Sequence, residues 1–267
     1  MIVSLEAIPR DTESLTAAAE IAGRFDRIGL INVPDLLRFS LRSWEACGIL
    51  GDRVFGPLRT GKRPDLMPHL RAIDFDPGQP FPHTGYFRSH NIKKALVIAG
   101  DPAPQKSGKT RRFYPTETTA FIKKLRLELP ELELYAAFDP YRSNIRYELD
   151  YLKAKEDAGA SGFFSQPFFD LRLLEIYAEY LEGKNVFWGV SPVLTESSRG
   201  YWESRNRAIF PRSFRPDLPW NLDFGRRVLR FCETSRFNLY LMPIRIDLAP
   251  YLEGLFQAAC RPASKPQ

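Results

Sequence analysis

Residues 157–167, Asp-Ala-Gly-Ala-Ser-Gly-Phe-Phe-Ser-Gln-Pro, contain the pattern that decides the fold. Gly159 suits the end of a helix, because a residue without Cβ takes a left-handed conformation without a clash. The two phenylalanines that follow form a short apolar run typical of a strand buried on both faces. Pro167 lacks an amide hydrogen and is expected to end the strand. The stretch therefore predicts a helix followed by a parallel strand, with Gln166 at the strand's carboxyl end.

The same alternation of apolar runs and amphipathic stretches continues along the chain. Strands are predicted over 2–6, 28–33, 68–74, 94–99, 132–138, 161–166, 185–190 and 237–243. Helices are predicted over 12–24, 34–48, 80–91, 116–128, 142–158, 170–182 and 221–233. This alternation predicts an α/β fold, a single-domain (β/α)8 TIM barrel, which typically needs roughly 250 residues. A doubly wound sheet is the alternative, but the glycine-rich turn that usually follows its first strand is missing after Glu6.

The barrel is expected to occupy residues 1–257, and the last residues, 258–267, are expected to form a disordered tail. The zone 191–220 is rich in proline, arginine and serine and is predicted to be irregular. Loops of this length in a compact domain are usually functional or mobile.

Composition narrows the class of protein. The net charge of +6 suits anionic small ligands, while Lys and Arg are too dispersed to predict nucleic-acid binding. Three separated cysteines and three histidines form no metal motif, so no metal is expected, and the cysteines favour a reducing compartment. No apolar run is long enough to span a membrane and the N-terminus does not resemble a signal peptide, so we expect a cytoplasmic protein.

Polar residues recur where the predicted strands end, and in a parallel barrel those ends form the active site. They are Glu6, Asn32, Asp74, Asp101, Asp139, Gln166, Ser191 and Arg245. Each aspartate could equally cap a helix or pair with a basic residue. Glu6 ends an inner strand and has no helix of its own to cap, so its alternative is a buried partner for an arginine.

Five stretches, in order, resemble the methylenetetrahydrofolate reductase family. The longest match reads Leu-Lys-Ala-Lys at 152–155, Asp-Ala-Gly-Ala at 157–160 and Gln-Pro-Phe-Phe-Asp at 166–170. It is similar to the family's Leu-Lys-x-Lys-x-Asp-Ala-Gly-Ala and Thr-Gln-Phe-Phe-Phe-Asp. The other matches are 3–6, 68–74, 95–102 followed by 107–109 and Tyr114, and 189–193.

This resemblance implies reduction of 5,10-methylenetetrahydrofolate to 5-methyltetrahydrofolate, in the one-carbon metabolism that serves methionine biosynthesis. FAD would relay hydride from NADH or NADPH. Glu6 would be the general acid and Asp101 the second catalytic residue, while Gln166 and Arg245 would bind the folate. The cofactor-binding residues would be His69, Asp74, Gly100, Asp101, Tyr114, Glu148 and Lys155.

Several positions depart from the family pattern, including Ala99 before Gly100 and Ala154 between the two matched lysines. Three alternatives therefore stay open. One is a flavin-independent reductase or a reductase of another pterin. The second is a barrel lyase or aldolase, although a glycine-rich phosphate loop and a strand lysine are missing. The third is a non-catalytic protein that binds folate or flavin. The expected partners are a folate or related pterin and a nicotinamide nucleotide, with a possible homo-oligomer.

Overall fold

The computed structural model describes residues 1–56, 63–102 and 112–257. Eight parallel strands close into one barrel in sequence order, and β1 pairs with β8. The strands are β1 (Val3–Glu6), β2 (Ile28–Val33), β3 (Asp65–Arg71), β4 (Lys94–Ile98), β5 (Glu133–Phe138), β6 (Gly162–Pro167), β7 (Val186–Val190) and β8 (Asn238–Leu241). The predicted single-domain (β/α)8 barrel is confirmed. The predicted tail 258–267 and the matched residues 107–109 lie outside the described residues.

Helices cover the outside of the barrel. In the described ranges they are α1 (Thr12–Ala22), α2 (Ser43–Ile49), α3 (Thr84–Ser89), α4 (Thr118–Glu128), α5 (Ile145–Asp157), α6 (Leu171–Tyr180), α7 (Glu196–Asn206), α8 (Leu218–Ser235) and α9 (Leu248–Gln257). A π-helical turn, Leu50–Val54, continues α2, and a 3-10 turn, Ala72–Asp74, follows β3.

The 157–167 stretch folds as its pattern predicts. Helix α5 ends at Asp157, and Gly159 follows with φ 112°. A Cβ on Gly159 would lie 2.6 Å from the Arg126 side chain, so both conformation and space require glycine. β6 then runs to Pro167, one residue beyond the predicted end. The pairing of β6 with β7 shifts register between Phe164 and Pro167, and such an irregularity accommodates proline.

Four sequence-based expectations were wrong. β3 covers 65–71 rather than 68–74, because its first residues are polar or partly exposed. Residues 34–42 are not helical: the loop is held by an ion pair between Arg42 and Asp35. The zone 191–220 contains α7 and the start of α8, and α9 was also missed. α7 buries only Trp202, so its sequence lacks apolar periodicity.

Alternation along the strands separates two apolar layers. Val3 and Leu5 belong to the large layer between strands and helices, so Ser4 and Glu6 face the barrel interior. The interior layer contains Leu30, Met67, Leu96, Tyr135, Phe164, Phe187, Tyr240 and Met242. A third cluster, formed by loops after β5 to β7 together with α7, contains Tyr141, Phe169, Val193, Trp202, Ala208 and Phe214.

Candidate active site

Glu6 and Tyr240 form a hydrogen-bonded pair inside the barrel. Glu6 ends β1, and Tyr240 on the adjacent β8 donates its hydroxyl hydrogen to Glu6 Oε2. Burial raises the pKa of Glu6 to about 7, and the tyrosine hydrogen bond limits the rise. Burial also raises the pKa of Tyr240 well above its usual value. Glu6 remains partly accessible, so it can exchange a proton near neutral pH with a molecule at the mouth.

A second polar group lies on the interior sides of β1, β2 and β3. Asn32 Nδ2 donates to Ser4 Oγ at 2.6 Å, and both side chains are buried. Burial lowers the pKa of His69 to about 3, so its imidazole is neutral at physiological pH. Ser43 Oγ donates to the His69 carbonyl at 2.6 Å and fixes this part of β3 to α2.

Two aspartates and two arginines form a buried ion-pair network at the ends of β2 and β3. Arg42 pairs with Asp35 and lies 3.1 Å from Asp74, and Arg71 Nε lies 3.6 Å from Asp74. Burial raises the pKa of Asp35, and Arg42 opposes that rise. Asp74, a predicted ligand residue, therefore holds two arginines in place. Its role in binding stays a prediction.

The loop after β4 carries Gly100 and Asp101. Gly100 has φ 84°, and a Cβ there would lie 2.9 Å from Arg71 Nε. The Asp101 side chain is exposed, while its carbonyl accepts a hydrogen bond from Arg71 Nη2. The amide of Tyr114, another predicted contact, donates to the Ile73 carbonyl at 2.8 Å. Asp101 thus lies three residues beyond the carboxyl end of β4, whereas Glu6 is the last residue of β1.

Glu148 and Lys155 lie on α5, behind β5. Glu148 is fully buried and accepts hydrogen bonds from Arg142 Nη2 at 2.8 and 2.9 Å. Lys155 Nζ donates to the Ala137 carbonyl at 2.6 Å and lies 3.9 Å from the Tyr151 ring centroid. Burial lowers the pKa of Lys155 to about 8, and Glu148 opposes that change. Glu148 and Lys155 therefore both have hydrogen-bond partners within the protein.

The remaining predicted residues lie at the ends of β5 to β8. Asp139 accepts a hydrogen bond from the Tyr141 amide at 2.9 Å, the contact of an Asx turn, while Asn144 caps the following helix. Ser191 Oγ donates to the Met242 carbonyl at 2.9 Å. Gln166 is partly exposed, and its side chain makes no hydrogen bond to any described residue. Arg245 is exposed, has φ 56° and forms no ion pair within the described ranges.

Sequence reasoning missed Tyr240 and Arg71. Tyr240 lies between two leucines in β8, so its sequence neighbours do not distinguish it from an aromatic residue of the core. Only the closure of β8 against β1 brings it to Glu6. Arg71 is the last residue of β3, but the strand was predicted to end three residues later. Asp74 was therefore taken as the residue at the strand end in place of Arg71.

Two general expectations concern metals and membranes. Within 1–56, 63–102 and 112–257, no group of three or more His, Cys, Asp or Glu side chains could hold a metal ion. No helix in these ranges is long and apolar enough to cross a bilayer.

Comparison with known proteins gives a fold but no sequence family. Neither a scan against protein-family models nor a search of curated proteins finds a match. Among solved structures, 2,3-dimethylmalate lyase, a PEP mutase/isocitrate lyase superfamily member, matches with a TM-score of 0.57 and 10% identity, over 97% of this chain and 80% of that chain. Oxaloacetate acetylhydrolase matches with a TM-score of 0.56 and 12% identity, over 94% and 78%. At these identities the likeness shows the fold alone.

These neighbours overturn the resemblance to methylenetetrahydrofolate reductases. They are a lyase and a hydrolase, so the predicted oxidoreductase, its flavoprotein and folate assignments, and the FAD and NADH or NADPH expectations were wrong. Three of the residues that this resemblance singled out have structural roles here. Gly159 follows the end of α5, Glu148 binds Arg142 in the loop before α5, and Lys155 binds the Ala137 carbonyl of β5.

Proposed function

We propose that this protein is a barrel lyase that cleaves a carbon–carbon bond of a small hydroxy acid. The observation that supports this proposal is the Glu6–Tyr240 pair, a carboxyl group with a pKa of about 7 at the carboxyl end of a barrel strand. The names of two structural neighbours, 2,3-dimethylmalate lyase and oxaloacetate acetylhydrolase, specify small dicarboxylic acids. The net positive charge of the chain favours such anions.

The reaction needs one proton to be taken and returned. The Glu6 carboxylate removes the hydroxyl proton of the substrate, and the O–H electron pair forms a carbonyl. The adjacent carbon–carbon bond breaks, and its electron pair stays on the carbon next to a carboxylate. The protonated Glu6 then gives its proton to that carbon. The products are an oxo acid and a carboxylic acid, with no net oxidation. A pKa near 7 makes both protonation states of Glu6 accessible.

Other side chains at the mouth would position the substrate. Tyr240 donates to Glu6 and orients its carboxyl group. Arg245 is an exposed cation after β8, and its left-handed φ of 56° is uncommon for a residue other than glycine. Such a conformation away from a helix end is typical of functional positions. Arg245 would bind a substrate carboxylate, and Gln166 would contact a polar substrate atom from β6.

The proposal is tested by incubating the purified protein with 2,3-dimethylmalate, 2-methylmalate and malate and measuring the oxo acid formed. We expect release from at least one of them and loss of release in Glu6→Gln. Glu133→Gln is the matched control, since Glu133 also accepts a tyrosine hydrogen bond but lies at the opposite end of the barrel. Absence of oxo acid from all three substrates would contradict the proposal.

A further inference from the structure

Two polar atoms inside the barrel have no hydrogen-bond partner in the part of the chain that the structure describes. They are Asn32 Oδ1 and His69 Nε2. Asn32 is 0% exposed and His69 is 6% exposed. Buried polar atoms almost always have a partner, because burial removes their hydrogen bonds to water. Water can occupy such a place in the free protein, and a ligand oxygen can replace it.

Both side chains lie on the strands that follow Glu6 around the barrel. Asn32 is opposite Glu6 in the β1–β2 register and opposite Met67 in the β2–β3 register. Met67 belongs to the interior layer, so His69, two residues further along β3, also faces the interior. The two unpartnered atoms therefore belong to side chains on the same interior face of the barrel as Glu6, the candidate proton-transfer residue.

The need for a partner does not depend on how the Asn32 amide is oriented. Ser4 Oγ lies 2.6 Å from one end of the amide and can either donate or accept. If the amide oxygen and nitrogen are exchanged, Ser4 satisfies the other atom and leaves the amide nitrogen short of an acceptor. In either orientation one end of Asn32 is free to bind a ligand.

The charge of this region selects the kind of ligand group. Ser4 and Asn32 are uncharged, and burial keeps the His69 ring neutral by lowering its pKa to about 3. A carboxylate placed against them would lose its hydration without gaining a cation. Arg71, two residues beyond His69 toward the carboxyl end of β3, is the next cation along this strand. A carboxylate is therefore favoured nearer the mouth and an uncharged oxygen deeper inside.

We infer that Asn32 and His69 form a subsite for the hydroxyl oxygen of the substrate, beside Glu6, with the substrate carboxylate on the side of Arg71. The inference rests on the proposed function, since it specifies which group of the hydroxy acid lies deeper in the barrel. It predicts that the site distinguishes a hydroxy acid from the same acid without its hydroxyl group. A site built to hydrogen-bond a hydroxyl group discriminates strongly against an analogue that lacks it.

The test compares malate with succinate and 2-methylmalate with 2-methylsuccinate by titration calorimetry. All titrations use the Glu6→Gln background, so that turnover does not disturb them. We expect the hydroxy acid of at least one pair to bind about tenfold more tightly or better. Adding Asn32→Leu or His69→Phe should reduce the preference to within about twofold, because either change removes a polar partner of the hydroxyl group. Asn238→Leu, an asparagine at the opposite end of the barrel, is the matched control and should keep it.

The outcomes separate this inference from the proposed function. A preference that Asn32→Leu or His69→Phe abolishes supports the subsite, even if the parent protein cleaves no carbon–carbon bond, in which case only the lyase proposal fails. Cleavage by the parent without a hydroxyl preference leaves the lyase and overturns the subsite. A preference that both variants retain, or failure of all four acids to bind, also overturns the subsite.

Discussion

Two glutamate–tyrosine pairs lie at opposite ends of the same barrel and differ in their protonation. At the carboxyl end, Tyr240 donates to Glu6, and among the described residues no Lys or Arg lies within ion-pair distance of Glu6. At the amino end, Tyr135 donates to Glu133, which also binds Lys94. Burial acts to raise the pKa of each carboxyl group, and for Glu6 it prevails. For Glu133 the hydrogen bonds from Lys94 and Tyr135 outweigh burial, so the pKa of Glu133 is lowered.

The amino-end pair is part of a longer set of polar contacts between strand starts. Asn185 Nδ2 lies 3.4 Å from the Tyr135 hydroxyl, and Asn238 Nδ2 donates to Asn185 Oδ1 at 2.9 Å. Asn238 Oδ1 accepts from the Ile2 amide at 2.7 Å. These contacts join the starts of β5, β7, β8 and β1. Partial exposure and a neighbouring lysine therefore keep the Glu133 carboxyl group ionised, while burial without a nearby cation leaves Glu6 with a proton that can move.

The largest expected effect separates the two pairs by activity. Glu6→Gln keeps the size of the side chain but cannot exchange the proton, so kcat/KM should fall by about 10²–10⁴-fold. Glu133→Gln should stay within about threefold, because its carboxyl group lies away from the mouth and takes part in no proton transfer. Oxo-acid release under identical conditions measures both. An equal loss of kcat/KM in the two variants would show that Glu6 and Glu133 do not differ in their catalytic role.

The second prediction concerns stability and pH. The pKa of Glu6 is 4.5 in the unfolded reference and about 7 in the folded protein, so the folded state holds more protons between these values. The free energy of unfolding contributed by this group therefore falls as pH rises from about 4.5 to about 7, by about 3 kcal/mol in total.

Urea unfolding of the parent and Glu6→Gln at pH 4, 5, 6, 7 and 8 measures this contribution. The parent should lose stability relative to the variant across that window and level off above it. A difference in the free energy of unfolding between parent and variant that stays constant with pH would show that the pKa of Glu6 is not raised in the folded protein.

A third, smaller effect tests the tyrosine. Tyr240→Phe removes the hydrogen bond that limits the rise in the Glu6 pKa, so that pKa should increase further. The lower limb of the pH profile of kcat/KM should move up by about one unit, the size expected for one hydrogen bond to a charged group. Tyr135→Phe should leave the profile in place. A shift in the opposite direction would mean that Tyr240 stabilises the protonated carboxyl group.

The smallest effect concerns the lysine. Lys94→Met leaves Glu133 with its tyrosine alone, as Glu6 is, and should raise the pKa of Glu133. The folded protein should lose about 1 kcal/mol near pH 7, since the pair is partly exposed and screened by solvent. The loss should shrink at low pH, where Glu133 becomes protonated in the parent too. Chemical unfolding at pH 7 and pH 3 measures it, since the lowered pKa of Glu133 keeps its carboxyl group largely ionised until the pH falls below 4.5. An equal loss at both pH values would exclude an electrostatic cause.

Much of the barrel follows from local patterns. The apolar runs predicted β2 over 28–33 with its observed bounds, and β1 and β4 to β8 within about two residues. α7 escaped prediction because Trp202 is its only buried residue, so the helix is stabilised by its Thr195 cap and by surface ion pairs such as Arg199 with Glu203.

Local sequence patterns were enough to predict the alternation of strands and helices and the position of Glu6 at the end of the first strand, because both depend on near neighbours in the chain. Tertiary structure decided what each carboxyl group does. Glu6 meets Tyr240, 234 positions away, only because β8 closes against β1. Glu133 and Tyr135 are two positions apart, but Lys94, which also lowers the pKa of Glu133, comes from the neighbouring strand β4. The protonation state of a carboxyl group depends on its burial and on charges on neighbouring strands, and neither can be predicted from the residues next to it in the chain.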